Sequence, residues 1–440
     1  MKIQLHPILI YIIFYFSILY PQESTFQKIL TMTNSISENN LITHIKNLEN
    51  AGGYFSRVNF TPGNDSAVVY IKNSFDKIPK LSKVELDTFY ISSAASPYNT
   101  KPIFNIVATI KGKGDSSGTY IIGAHYDCSA SRMGSSTWNT QWKTIKAPGA
   151  DDNATGVAAI LEIARILTDT TINFRSDYTI KLIAFGAEES GPAYSHAGSH
   201  PGSTHYATLA KQRDEKILGM FSVDMIGYNI SYDYTALVSD NNSKWLGEKF
   251  VEANNLYSIG LKMNSSPFTQ ASYSDHQSFW NEGYRGILLI ENAPPWNDSV
   301  FYRANPYYHT SYDTLGTVNI QLVKKVTQLT LAAAASLGAR LTDVYSNNHP
   351  TTVEDFYLSQ NYPNPFNPST IINYQLPQDG LVTLKIFDAL GREIKTLLNE
   401  YRGKGYYTVN FDGSNISSGI YIYQIKSGNF ISTKKMVLTK

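Results

Sequence analysis

Three short apolar runs each end at groups that can hold a metal ion or move a proton. Residues 120–124 (YIIGA) run into His125, Tyr126 and Asp127, residues 178–185 (YTIKLIAF) lead to Glu188 and Glu189, and residues 219–223 (GMFSV) run into Asp224. A fourth group, Asp151 with Asp152, sits in the turn 149–156 (GADDNATG) that opens the apolar stretch 157–167, and a fifth, His309, follows the apolar run 286–291. In an open α/β sheet, ligands gather at the carboxyl ends of the strands, so groups far apart in sequence can converge there.

Two histidines with several carboxylates suit Zn, Mn or Co, and the set is larger than one tetrahedral zinc needs. Two metals are the natural reading. Such a pair needs a bridging carboxylate, which an Asp-Asp turn can supply, and can polarise a carbonyl while deprotonating a shared water. Glu188 and Glu189 are adjacent, so in extended backbone one can ligate while the other faces the water as general base. Each piece alone has a plain structural alternative: a satisfied histidine at a strand end, a solvated glutamate pair, an aspartate capping a helix. Their co-occurrence, each at the end of an element, favours the metal reading.

The elements that must position these groups follow from patterning. Short β-branched runs alternate with amphipathic helical windows up to about residue 340, as in an α/β domain with a mostly parallel mixed sheet flanked by helices. Ser35 and Glu38 have capping-box spacing ahead of Leu41, Ile42, Ile45 and Leu48, with Gly52-Gly53 as the stop. Residues 341–360 are polar and lack periodicity, as a linker does. Beyond them only period-two runs separated by Gly, Asn and Asp occur, at 382–387, 406–411 and 419–425, which predicts a small all-β sandwich.

Composition narrows the class of function. The chain has 440 residues, room for two or three domains, and its 37 basic against 36 acidic residues leave a net charge of +1, with no field to draw nucleic acid or an anionic membrane. The single cysteine, Cys128, rules out an intrachain disulfide and a Cys-based zinc finger. Residues 7–20 are apolar or aromatic apart from Ser17 and follow Lys2, which predicts the core of a signal peptide over 1–24. A small-residue cleavage site is absent, so an uncleaved anchor stays open.

Residues from about 36 to 341 resemble M28-type zinc peptidases, a group of secreted aminopeptidases and their relatives. The resemblance rests on GAHYD (123–127), GADDNATG (149–156), AEESG (187–191), VDMIG (223–227), YSDH (273–276) and YHTSYDT (308–314), in family order. It implies two Zn ions, with Mn or Co as substitutes: Asp152 bridges them, His125 and Asp224 complete one site, and Glu189 and His309 the other. It further implies that Glu188 is the base, that Asp127 orients the His125 imidazole, and that the Asp152–Asn153 peptide is cis. Tyr308 stands where some relatives carry an oxyanion-binding tyrosine, and Tyr273 where others do; Tyr308 is preferred. Cys128 is read as a bystander, and His196, His200 and His205 as lining the substrate cleft or solvated, with the solvated reading preferred.

The end of the chain resembles a type A sorting domain of the type IX secretion system. The resemblance rests on residues 358–370 (LSQNYPNPFNPST), 374–377 (YQLP), 387–393 (FDALGRE), 418–421 (SGIY) and 434–440 (KKMVLTK). The expected organisation is a signal peptide at 1–24, a catalytic domain at 25–341, a linker at 342–356 and a sorting module at 357–440. Function is then expected to be that of a secreted two-metal exopeptidase acting on peptides, most simply an aminopeptidase, exported through the periplasm by the type IX machinery. It would be a monomer with no nucleic acid partner and no stable membrane insertion after signal removal. A one-metal glutaminyl cyclase, a carboxypeptidase or dipeptidase, and a non-catalytic surface binding protein remain the alternatives.

Overall fold

The apolar runs that lead to His125, Glu188 and Asp224 are neighbouring strands of one sheet. Its eight strands are β1 (Lys83–Phe89), β2 (Ile103–Ile110), β3 (Gly118–His125), β4 (Thr179–Phe185), β5 (Lys216–Val223), β6 (Tyr234–Ser239), β7 (Lys262–Met263) and β8 (Gly286–Ile290), in the order β1-β2-β4-β3-β5-β8-β6-β7. The central strands β4, β3, β5 and β8 are parallel. Strand β2 lies antiparallel to β1 and β4, and β6 antiparallel to β8. All of β3 is buried, which is why it reads as a continuous apolar run rather than an alternating one. The chain leaves β3 for β4 on one side and then crosses from β4 to β5 on the other side of β3. His125 therefore ends the strand at a topological switch point.

This is a computed structural model that describes residues 25–114, 118–195, 200–229, 232–263, 273–292, 303–339, 356–358, 361 and 364–439. The expected signal segment, residues 342–355 of the expected linker, and His196 lie outside the described residues. Among the described residues no helix is long and apolar enough to cross a membrane.

The helix Thr155–Leu167 is apolar on every face because it is covered on every face: each residue but Arg165 is buried, between the sheet and the helices Glu38–Glu49 and Ile320–Gly338. Its first turn can press on the end of β5 only because residue 156 is glycine, where an added Cβ would lie 2.3 Å from the Val223 carbonyl oxygen. The expected cap at Ser35 is corrected. Ser37 caps the helix Glu38–Glu49, its side chain accepting from the Asn40 N–H, while Ser35 Oγ donates to the Thr31 carbonyl at the end of a preceding helix, Thr25–Asn34. Long-range partners decide this: the buried Glu162 carboxylate accepts the Ser37 N–H at 2.8 Å, and Glu38 is taken by Gln321 and Lys324.

A second compact unit begins after Ala339. It contains β9 (Tyr357–Leu358), β10 (Ser369–Leu376), β11 (Gly380–Asp388), β12 (Glu393–Arg402), β13 (Gly405–Asp412), β14 (Gly419–Ser427) and β15 (Phe430–Leu438). They form two antiparallel sheets, β13-β10-β9 and β12-β11-β14-β15. Ile372, Leu376 and Phe411 of the first share one core with Leu384, Ile386, Tyr423 and Met436 of the second, as in a β-sandwich.

Each unit closes its own core, so a chain ending at Asn347 should fold alone. Near-ultraviolet circular dichroism should retain a native aromatic signal, lost in one cooperative transition on heating. A truncated chain without that signal would mean that the first unit needs the second.

Candidate metal centre

His125 ends β3, and its ring orientation follows from its neighbours. Nδ1 lies 3.2 Å from the carbonyl oxygen of Asp127, which only accepts, so Nδ1 carries a hydrogen. Nε2 then points at two carboxylates, Asp152 Oδ1 and Asp224 Oδ1, each at 3.2 Å. On the other side, His309 Nε2 lies 2.6 Å from Glu189 Oε1 and 3.1 Å from Asp152 Oδ2. Asp152 thus offers one oxygen to each histidine. Two sets of potential ligand atoms result, His125/Asp152/Asp224 and Asp152/Glu189/His309, each set lying within 4.8 Å of one another.

The loops that carry these groups are stapled by buried carboxylates. Asp127 accepts the backbone N–H of Glu188 at 3.1 Å and of Glu189 at 3.0 Å, together with the Asn59 side-chain amide at 2.6 Å, and so ties the exit of β4 to the exit of β3. Its Oδ1 is 3.6 Å from His125 Nδ1, but the closer partner of that nitrogen is the Asp127 carbonyl. Asp313 accepts the N–H of Asp151 at 2.9 Å and of Asp152 at 3.0 Å, clamping the turn that presents Asp152. Asp151 faces away from the histidines and accepts from the Gly227 N–H and the Asn305 amide. The Asp152–Asn153 peptide is cis. Beneath the turn the fully buried Arg57 donates to the carbonyls of Leu48, Tyr126, Pro148 and Gly149.

Charge is the dominant feature of the site. Burial pushes the Glu189 carboxyl up to about 8 and raises that of Asp224. At Asp152 burial is outweighed by the His125 and His309 imidazoles, which drive its carboxyl down. Burial also opposes charge on His309, yet Glu189 and Asp152 lift it to about 10. So many buried carboxylates around two imidazoles need shared positive charge, as ring protons or as bound cations. The donor chemistry, imidazole nitrogen and carboxylate oxygen with one carboxylate common to both sets, fits a pair of zinc-like dications.

Glu188 belongs to neither set. It faces the cleft, where burial would raise its carboxyl, but the His200 and His125 imidazoles outweigh that and bring it down to about 2. The cleft has a volume of about 400 Å³, with Trp138, Tyr194, Tyr273 and Tyr308 among its walls. Tyr308 stacks on the His309 ring with centroids 3.7 Å apart, and the Arg132 guanidinium lies 4.7 Å from the Tyr308 ring centroid. Burial keeps the Tyr308 hydroxyl protonated, well above the usual range. Tyr273 lines the same cleft but is 61% exposed.

Several partners escape sequence reading. Ser131 Oγ lies 3.1 Å from His309 Nδ1, and Asn59 and Asp313 hold the loops as described. Asp313 lies within the quoted YHTSYDT stretch, the one signal that could have marked it. His200 follows the less preferred of its two readings: it is buried and lines the cleft, because Pro201 starts a helix that packs against the exit of β4. His205 is half-buried against Asp87, with Nε2 at 3.2 Å from Oδ1, so it too is partnered rather than solvated. Cys128 is buried and hydrogen-bonded to Arg57 and Ala147, and burial pushes its thiol up to about 12, far from a thiolate ligand.

Comparison with known proteins gives the lineage. The sequence profile of Peptidase family M28 matches residues 105–334, just over half of the chain, and that of a secretion system C-terminal sorting domain matches residues 360–439. The uncharacterized protein YfbL of Escherichia coli (strain K12) is 30% identical over 262 residues, which cover 54% of this chain and 72% of that protein. Among solved structures, BSAP, a zinc aminopeptidase from Bacillus subtilis, superposes with a TM-score of 0.53 at 18% identity, covering 69% of this chain and 95% of that one. An Acidobacteriales bacterium glutaminyl cyclase gives 0.54 at 21% identity, covering 70% and 96%. At these identities the two structures speak for the fold alone. The profile and the YfbL match carry the assignment: this chain belongs to Peptidase family M28, as a metallopeptidase with a C-terminal secretion sorting domain.

Proposed function

We propose that the protein is a secreted exopeptidase that uses two zinc ions, and that it acts as an aminopeptidase. The observation that carries this reading is the sharing of Asp152 between two complete ligand sets, with Glu188 beside them and outside both. Zinc is favoured by the imidazole and carboxylate donors and by the fold shared with a zinc aminopeptidase. Against the alternative of a one-metal glutaminyl cyclase, a full second set, Glu189 and His309 with Asp152, supports two ions. Among the described residues that line the cleft, Glu188 and Glu189 are the only charged groups besides histidine, and none is Lys or Arg. With Glu189 spent on an ion, it is the lack of a Lys or Arg among these lining residues, the groups that would hold a peptide carboxylate, that favours reading the amine end.

In this reading His125, Asp152 and Asp224 hold one ion, and Asp152, Glu189 and His309 the other. Bound there, zinc supplies Lewis acidity that acidifies water and polarises the scissile carbonyl. Glu188, ionised at neutral pH, takes the proton from the attacking water as the new C–O bond forms and passes it to the leaving amine as the C–N bond breaks. The Tyr308 hydroxyl, kept protonated by burial, donates to the carbonyl oxygen as charge develops on it. Asp127 holds Glu188 and Glu189 in register through their backbone N–H groups. The second unit is an address: a signal peptide at 1–24 would deliver the chain to the periplasm, and the sorting module would direct it across the outer membrane to the outside.

Mass spectrometry of products from a panel of free-amine and amine-blocked peptides tests the activity. The enzyme should release N-terminal residues one at a time from free-amine peptides only, and Glu188→Gln should lower kcat by about 10²–10⁴ with zinc content unchanged. Release from the carboxyl end would make it a carboxypeptidase, and near wild-type turnover by Glu188→Gln would remove the base. Tyr308→Phe should cost about 10²–10³ in kcat with little change in KM, and Tyr273→Phe much less; the reverse order would transfer the oxyanion role to Tyr273. In the native host, the chain ending at Asn347 should accumulate in the periplasm. Its appearance in the medium would contradict the address role.

A further inference from the structure

Of the two described histidines in this segment, His200 and His205, His200 has the less solvated surroundings. It is buried, and its Nδ1 lies 3.1 Å from Glu188 Oε1 and 3.3 Å from the Glu188 carbonyl oxygen. Both are acceptors, so Nδ1 carries the hydrogen and donates to Glu188 whichever form the ring takes.

The ring is planted on a rigid support. His200 immediately precedes the helix Pro201–Gln212, and its carbonyl accepts the Thr204 N–H at 2.8 Å and the Ser203 hydroxyl at 3.2 Å. The start of that helix is pressed against the exit of β4, since a Cβ at Gly202 would lie 2.1 Å from the Gly186 carbonyl oxygen. Asn105 holds the two together: its amide donates to the Gly202 carbonyl at 3.0 Å and its side-chain oxygen accepts the Gly186 N–H at 3.2 Å. The histidine and the glutamate therefore ride on segments fastened to each other. A carboxylate that belongs to neither ligand set would otherwise be free to rotate, and reaction rate falls steeply when a reacting group is misplaced.

We propose that His200 is the positioning residue of Glu188: its Nδ1–H fixes Oε1 and leaves the other carboxylate oxygen to take the proton from water. The proposal rests on Glu188 being the general base. Because His200 acts in this role through Glu188 and belongs to neither ligand set, its loss should be felt in kcat and not in KM or metal content.

Four variants of the full-length zinc-loaded enzyme test it: Glu188→Gln, His200→Phe, His200→Ala and His200→Asn, the last because an Asn side-chain amide can stand where Nδ1 stands. For each, kcat, KM, zinc per chain and the thermal unfolding midpoint are measured. With Glu188→Gln inactive, His200→Phe and His200→Ala should lose about 10- to 100-fold in kcat at unchanged KM and zinc content, and His200→Asn should regain most of that loss. Retention of kcat within twofold by both Phe and Ala, with Glu188→Gln still inactive, would overturn the positioning role and leave the base assignment standing. Equal losses in all three His200 variants, or losses that track zinc content or melting, would make His200 merely structural. Full activity in Glu188→Gln would remove the base reading itself, and this inference with it.

Discussion

Like charge, buried and concentrated, is the constraint around which the first unit is organised. Asp127, Asp152, Glu188, Glu189 and Asp224 are all buried at the carboxyl edge of β3, β4 and β5, where desolvation works against every ionised form. Two solutions are used side by side. Asp127 and Asp313 spend their lone pairs on backbone N–H groups, which satisfies them and fastens the loops. Asp152, Asp224 and Glu189 are turned towards imidazole nitrogens instead, where only shared positive charge makes the arrangement tolerable.

The fold supplies the geometry that makes such crowding achievable. A buried parallel sheet delivers three strand ends within a few ångströms of each other, and the switch in strand order at β3 opens a crevice beside His125. Glycines at 156 and 202 let one helix start and one helix-bearing segment approach strand ends more closely than any side chain would allow. Arg57, buried beneath the turn, fixes the carbonyls of Tyr126, Pro148 and Gly149 on either side of the centre. Rigid support of this kind is what a site needs if its groups are to meet a reacting bond without reorganising.

Much of this was legible in the sequence, and the division has a physical cause. His125, Glu188, Glu189 and Asp224 stand out because each ends an apolar run, and period and run length are local properties of a chain. Asp152 stands out for a similar reason, at a polar turn opening an apolar helix. Partners that act across the fold carry no such mark. Ser131 meets His309, 178 residues away, and Asn59 meets Asp127, 68 residues away. His200 looked like part of a polar Gly/Ser-rich loop, since nothing local reveals that Gly202 and Asn105 draw it inward. The misplaced cap at Ser35 has the same origin, because Glu162 and Lys324, both distant, decide which serine and which glutamate are engaged. The all-β character of the second unit was fully local, in period-two runs broken by turn residues.

In the proposed centre one carboxylate, Asp152, serves two ion sites at once. Zinc per chain, measured by elemental analysis on purified wild-type enzyme and on Asp152→Asn and Asp224→Asn variants, tests it most directly. Two ions are expected in the wild type, loss of tight binding at both sites in Asp152→Asn, and retention of one ion in Asp224→Asn. A fully active wild type with a single zinc, or an Asp152→Asn variant that keeps both ions, would contradict it.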